Sequence, residues 1–251
     1  MIARLFKRDK PPGWRLPEGL RVYAIGDVHG RIDLLDALLA SIEADTASWS
    51  GASEIVLLGD YVDRGPGSAA VLGRLTGDAP KGTCWRLLKG NHEAILLDLF
   101  APQPSDERLL PSWLAHGGRE TLASYGLPAS IIHASDAATV IGALAEVMPV
   151  TQRELLASLA YTHAAGDYLF VHAGIRPGIA LADQRPRDLV WIREAFLDYP
   201  GDHGVHVVHG HSVRREVDER QNRTGIDTGA YATGKLTALV LEGAGRRYLS
   251  T

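Results

Sequence analysis

The chain has 251 residues, 45% of them apolar and 22% charged, with a formal net charge of −4. That length and composition suit one mixed globular domain that buries enough surface to need no covalent staple. The acidic balance speaks against a general nucleic-acid or membrane-surface binder, and no stretch approaches the ~20 apolar residues of a membrane span. A lone cysteine, Cys84, allows neither an internal disulfide nor a thiolate metal site, so a cytoplasmic location is expected. Cys84 itself is expected in the core beside Trp85.

Residues 1–18 read as a surface arm. The start is basic but lacks the apolar segment of a signal peptide, and Pro11, Pro12 and Pro17 oppose regular structure. Three short apolar runs follow, at 21–25, 54–58 and 84–89, with the length of buried strands. They end in Gly26-Asp27, Gly59-Asp60 and Gly90-Asn91. Each is succeeded by apolar residues at helical spacing: Leu34, Leu35, Leu38, Leu39 and Ile42; then Ala69, Val71, Leu72 and Leu75; then residues 95–100. Strand, loop and helix thus recur at roughly the length of a βαβ unit, about 30 residues. In such sheets the loops at the carboxyl ends of the strands gather along one edge. The three Gly-Asp or Gly-Asn steps are therefore expected side by side.

Residues 101–165 pattern helically between the breakers Gly117-Gly118 and Gly126-Leu127-Pro128, and read as a helical insertion or lid within a single domain spanning 19–251. The remainder returns to strands at 168–172, 205–209, 236–241 and 247–249, with one helix near 189–197. Short strands in succession predict a second, largely antiparallel sheet.

The polar residues at these strand ends are Asp27, His29, Asp60, Asn91, His172 and His211. They offer carboxylate, imidazole and amide oxygen, a set that suits Mn²⁺, Fe, Zn²⁺ or Co²⁺. Six ligands are too many for one open catalytic ion. They suit two cations sharing a carboxylate, the arrangement used for phosphoryl hydrolysis. Neighbouring glycines permit the backbone to approach closely where ligands crowd. Glu93 reads as a stabiliser of the helix start after Asn91, and His209 is evenly balanced between a place near the ligands and plain packing.

GDVHG (26–30), GDYVDRG (59–65), GNHE (90–93), HAG (172–174) and GHS (210–212) resemble, in order, the signature blocks of the metallophosphoesterase superfamily, phosphoprotein phosphatase branch. WLAHGGRETLASYG (113–126), WIREAF (191–196) and IDTGAYATGKLTAL (226–239) extend the likeness to bacterial and phage-type serine/threonine phosphatases. The resemblance implies an α/β four-layer sandwich, two β-sheets flanked by helices. It implies that Asp27 and His29 bind one metal, that Asp60 bridges, and that Asn91, His172 and His211 complete the second. Arg64 and Arg193 would hold the substrate phosphate, His92 would protonate the leaving group, and Asp63 would orient His92. A water bridging the two cations, Mn²⁺ first with Fe or Zn²⁺ as alternatives, would attack phosphorus. The substrate would be a phosphoprotein or a small phosphoester. His29 and Arg193 favour a serine/threonine protein phosphatase; the alternative is a symmetrical bis(5'-nucleosyl)-tetraphosphatase, whose bacterial members share the WL-GG-ETL-SYG and IDTG segments.

Overall fold

The computed structural model describes residues 13–251. The first twelve residues of the expected arm lie outside the described residues. From Gly13 onward the chain lies against the core: Leu16 is buried, and its amide donates to the Gly243 carbonyl at 2.8 Å.

The three predicted βα units form as strand β1 (Leu20–Ile25), helix α1 (Ile32–Thr46), β2 (Ala52–Leu57), α2 (Ser68–Leu75), β3 (Thr83–Leu87) and α3 (Asn91–Leu99). β1 and β2 pair in parallel with Ile25 opposite Leu57, and β2 and β3 with Leu57 opposite Leu87. This register brings the three loops into line. Val28 and His29 both donate their amides to the Asp60 carbonyl, at 3.1 and 2.8 Å.

Helices α4 (Leu109–Trp113), α5 (Arg119–Ser124), α6 (Ala129–Ile132), α7 (Ala137–Val147) and α8 (Val150–Ser158) follow, with one π-helical turn, Leu114–Gly118, between α4 and α5. Leu110, Trp113, Leu122, Leu144 and Leu156 enter the same apolar core as the buried faces of α1, α2 and α3. The last part of the stretch read as helical is instead β4 (Thr162–Ala165), which pairs antiparallel with β5 (Tyr168–Val171).

The chain continues through α9 (Pro186–Trp191), α10 (Glu194–Leu197), β6 (His206–His209), β7 (Asp218–Glu219), β8 (Arg223–Gly225), α11 (Ala230–Thr233), β9 (Thr237–Glu242) and β10 (Gly245–Ser250). The strands make two five-stranded sheets, ordered β10-β9-β1-β2-β3 and β4-β5-β6-β8-β7. Side chains alternate across each strand, so both faces of the first sheet can be apolar and buried. Tyr23, Ile25, Ile55 and Leu57 face the helices. Val22, Ala24, Val56 and Leu58 face Phe170 and Val208 of the second sheet. Leu169, Val171 and Val207 point the other way, onto Leu189, Ile192 and Phe196. The result is the four-layer sandwich: helices, sheet, sheet, helices.

Four further sequence expectations need correction. The second sheet is mixed rather than largely antiparallel, because β5–β6 and β6–β8 are parallel. The long connection containing α9 and α10 supplies the crossover that a parallel pair requires. Residues 237–250 leave that sheet altogether and extend the first one, β9 pairing antiparallel with β1. The helix expected near 189–197 breaks at Ile192 and Arg193, which leave helical dihedrals as Ile192 buries its side chain. Cys84 is exposed, not in the core. β3 is the edge strand, and its alternate residues Cys84 and Arg86, on one face, are both exposed. Among the described residues no helix is long and apolar enough to cross a membrane.

Candidate metal centre and phosphate site

Backbone strain marks the site before any side chain is considered. Among the described residues, the non-glycine residues at positive φ are His29 (45°), Asp60 (52°), Asp63 (72°), Arg64 (68°) and His211 (60°). Each costs about 1 kcal/mol or more, and such outliers persist only where the surroundings enforce them. The enforcement is visible. Glu93, buried at the start of α3, accepts amide hydrogens from Gly90 (2.9 Å), Asp60 (2.8 Å) and Tyr61 (2.7 Å). It ties the second loop to the third, which goes beyond the helix-start role read from sequence. Gly59 and Gly90 pack backbone to backbone: a Cβ on Gly59 would meet Gly90 N at 2.4 Å.

His29 Nδ1 lies 2.9 Å from the Val62 carbonyl, and His172 Nδ1 lies 2.9 Å from the Leu58 carbonyl. A carbonyl can only accept, so both rings carry their proton on Nδ1 and turn an Nε2 lone pair inward. His29 Nε2 stands 3.5 Å from Asp60 Oδ2 and His172 Nε2 3.4 Å from Asp60 Oδ1. His172 Nε2 also faces Asn91 Oδ1 at 2.9 Å. The Nε2 atoms of His29 and His211 are buried without a hydrogen-bond partner. Burial, first of all, lowers the pKa of His29 to about 3 and of His211 to about 2. These rings are therefore neutral and free to act as ligands. Burial alone would raise Asp60, but His172, His92 and His29 around it hold its carboxyl well below the usual range.

Buried acceptors thus converge: the His92 amide donates to Asp60 Oδ1 at 3.1 Å, but among the described residues no donor meets the Nε2 atoms of His29 and His211, an arrangement that costs free energy unless a cation sits there. Two sets of ligand atoms fall within 4.8 Å of one another: His29, Asp60 and His92; and Asp60, His172 and His211. Asp60 belongs to both. This all-N/O donor set fits divalent cations. Asp27 stands slightly apart. Its carboxylate accepts the His211 amide at 3.0 and 3.2 Å and abuts Asp227. Burial raises its pKa first, then the charges of Asp227 and Asp60. Burial likewise pushes Asp227 up to about 6. Gly210 leaves no room for a side chain here, since a Cβ would lie 2.0 Å from Asp27 Oδ1.

Beside the convergent ligands lies a second constellation. His92 Nδ1 is 2.6 Å from Asp63 Oδ2, with His92 3% and Asp63 0% exposed. His92 Nε2 is 3.9 Å from Asp60 Oδ2 and 3.2 Å from Arg64 Nη2. Burial would lower the His92 pKa, yet Asp60 and Asp63 outweigh it and the net shift is upward. The Arg64 guanidinium lies over the Tyr231 ring at 4.7 Å, and the same ring meets His29 edge-on at 5.3 Å. Arg193 is exposed at the rim, near enough for its charge to disfavour protons on His172 and His211.

The ten residues read from sequence therefore gather in one region. Asp227, Trp113, Thr121 and Tyr231 were missed. Each lies within a segment already singled out, but nothing local gave it a role. His209 resolves to packing: its Nδ1 meets the Gly210 carbonyl at 3.0 Å and its ring meets Phe196 at 5.1 Å.

A family model described as calcineurin-like phosphoesterase matches residues 20–233. The chain belongs to this family. Over 240 residues it is 26% identical to serine/threonine-protein phosphatase 1 of Salmonella typhimurium, covering 93% of this chain and 95% of the relative. That likeness agrees with the phosphoprotein phosphatase branch read from the signature blocks. A stretch of 82 residues is 44% identical to the symmetrical bis(5'-nucleosyl)-tetraphosphatase of Citrobacter koseri. The match spans 33% of this chain and only 27% of that relative. Among solved structures, a candidate diadenosine tetraphosphatase aligns with a TM-score of 0.59 at 22% identity, over 92% of this chain and 93% of that one. A cold-active protein tyrosine phosphatase aligns with a TM-score of 0.56 at 19% identity, over 94% and 81%. At these identities the two structures establish the fold alone.

Proposed function

We propose that this phosphoesterase hydrolyses phosphate monoesters of alcohols, above all phosphoserine and phosphothreonine in proteins, in the cytoplasm. The observation that carries the reading is the buried His92–Asp63 pair, 2.6 Å apart and next to Asp60. An alkoxide is a poor leaving group and needs a proton as the bond to phosphorus breaks. The nucleoside diphosphate released from a dinucleoside tetraphosphate is a stable anion and needs one far less. A built proton donor therefore favours the ester.

Two divalent cations, of which Mn²⁺ fits the donors best with Fe or Zn²⁺ as alternatives, would place positive charge against the phosphate oxygens and acidify the attacking water. Asp27, His29 and Asp60 would hold one, and Asp60, Asn91, His172 and His211 the other. Arg64, whose guanidinium lies over the Tyr231 ring, and Arg193 at the rim would hold non-bridging oxygens through paired N–H donors. As the water oxygen bonds to phosphorus and gives up a proton to solvent, the bond to the seryl oxygen breaks. His92 Nε2 delivers its proton to that oxygen and recovers one from solvent, while Asp63 keeps the ring aligned through Nδ1.

A second reading, symmetrical dinucleoside tetraphosphate hydrolysis, is favoured by the 44% identical stretch shared with such an enzyme. Turnover of p-nitrophenyl phosphate, a phosphoserine peptide and diadenosine tetraphosphate, with Mn²⁺ and after chelation, separates the readings. The expected result is metal-dependent hydrolysis with the peptide preferred over the dinucleotide. A strong dinucleotide preference would replace the first reading with the second, and full activity after thorough metal removal would overturn both.

A further inference from the structure

The helical block after α3 reaches the reaction centre at a point that neither the signature motifs nor the comparisons assign. Trp113 Nε1–H, at the end of α4, donates to both oxygens of the Asp63 carboxylate, at 3.1 and 2.9 Å. The Thr121 hydroxyl, on α5, donates to Asp63 Oδ1 at 2.6 Å and accepts the Asp63 amide at 2.9 Å. Ser68 completes the ring of contacts: its Oγ accepts the Asp63 amide at 3.0 Å and lies 3.0 Å from Thr121 Oγ1. Trp113, Thr121, Ser68 and Asp63 are all within 1% of fully buried. The π-helical turn between α4 and α5 contributes as well. Gly117, at φ 112°, accepts the Arg64 amide at 3.2 Å, and a Cβ there would come within 2.3 Å of Arg64 N.

The geometry points to Thr121 and Trp113 as positioning residues for proton delivery, acting on His92 through Asp63. The assignment rests on the proposed ester hydrolysis at this site. A carboxylate with one partner swings about its Cβ–Cγ bond. Asp63 has Oδ1 held by Thr121 and both oxygens straddled by Trp113 Nε1–H, which fixes the carboxylate plane with Oδ2 facing His92 Nδ1. With Nδ1–H committed there, Nε2 alone faces the leaving oxygen. The block also sets the left-handed dihedrals of Asp63 and Arg64, whose amides it receives at Thr121 Oγ1 and at the Gly117 carbonyl. A displacement of a few tenths of an ångström in α5 would turn the proton donor away while leaving the metal ligands, held by Glu93 and the strand ends, in place.

The leaving group reads this role out. A substrate whose leaving oxygen is already a stable anion depends little on the donor, and a seryl ester depends on it strongly. The test compares Thr121→Val, Thr121→Ser and Trp113→Phe with wild type on a phosphoserine peptide and on p-nitrophenyl phosphate, with metal content measured in parallel. Thr121→Val keeps the shape and removes the hydroxyl. It is expected to lower kcat on the peptide roughly 10- to 100-fold, with a distinctly smaller loss on the nitrophenyl ester and the same metal content. Thr121→Ser is expected to restore most of the peptide rate. Trp113→Phe repeats the selective loss by removing the other donor, and serves if the valine variant does not fold. Equal losses on both substrates, a serine variant no better than the valine one, or no loss in any variant would overturn the assignment. A wild type inactive on both esters would instead overturn the proposed ester hydrolysis.

Discussion

His172 Nε2 points at Asn91 Oδ1 from 2.9 Å while its Nδ1–H is committed to the Leu58 carbonyl. Two lone pairs held face to face in a buried site repel, and a cation between them converts the repulsion into attraction. The folded state should therefore bind divalent cations far better than the unfolded chain. Adding Mn²⁺ is expected to raise the thermal midpoint, by an amount equivalent to about 2.7 kcal/mol at a hundredfold excess over Kd. His172→Ala should abolish most of that rise together with activity. A midpoint that ignores Mn²⁺, Zn²⁺ and Fe²⁺ alike would show that these ligands do not form a metal centre.

His92 tests how far the two constellations can be separated. It lies close enough to His29 and Asp60 to join a cluster of possible ligands, yet its Nδ1 is committed to Asp63. As proton donor, His92→Asn should retain both metals and lose on the order of 10²–10⁴ in kcat on a phosphoserine peptide. Metal analysis of the purified variant decides the point, since loss of an ion would make His92 a ligand.

A separate prediction concerns acid stability away from the site. His206 is fully buried between the two sheets, its Nε2 2.8 Å from Thr224 Oγ1, and burial followed by the nearby Arg246 lowers its pKa to about 3. Its folded pKa lies below the unfolded value of about 6.5, so the unfolded chain binds the proton more readily. The stability conferred by the neutral ring is complete above pH 6.5 and is lost as pH falls from there toward 3. His206→Gln should flatten part of this decline when urea unfolding is followed from pH 7 to pH 4. An unchanged slope would mean that His206 does not take up the proton on unfolding.

How much of this was legible in the sequence depended on how local each requirement is. The Gly-Asp and Gly-Asn steps could be read directly, because a strand end, a tight turn and a candidate ligand occupy neighbouring positions. Asp27, His29 and Asp60 announce themselves in this way. The contact between Asp27 and the His211 amide spans 184 residues, and Trp113 and Thr121 stand 50 and 58 residues from Asp63. No periodicity encodes such distances. The mixed second sheet escaped for a similar reason: β8 is three residues long, too short to carry an alternation, and only its pairing with β6 and β7 makes it a strand.

The sequence by itself determined the donor types gathered at the candidate site, the three parallel βα units and the family, since each depends on residue type and short-range order. The tertiary structure decided what surrounds the ligands. It aligned the three loops through the register of β1, β2 and β3, forced five side-chain-bearing residues into left-handed dihedrals, and brought α4 and α5 onto Asp63. Those outcomes come from packing in three dimensions, where a buried carboxylate must find its donors wherever in the chain they lie.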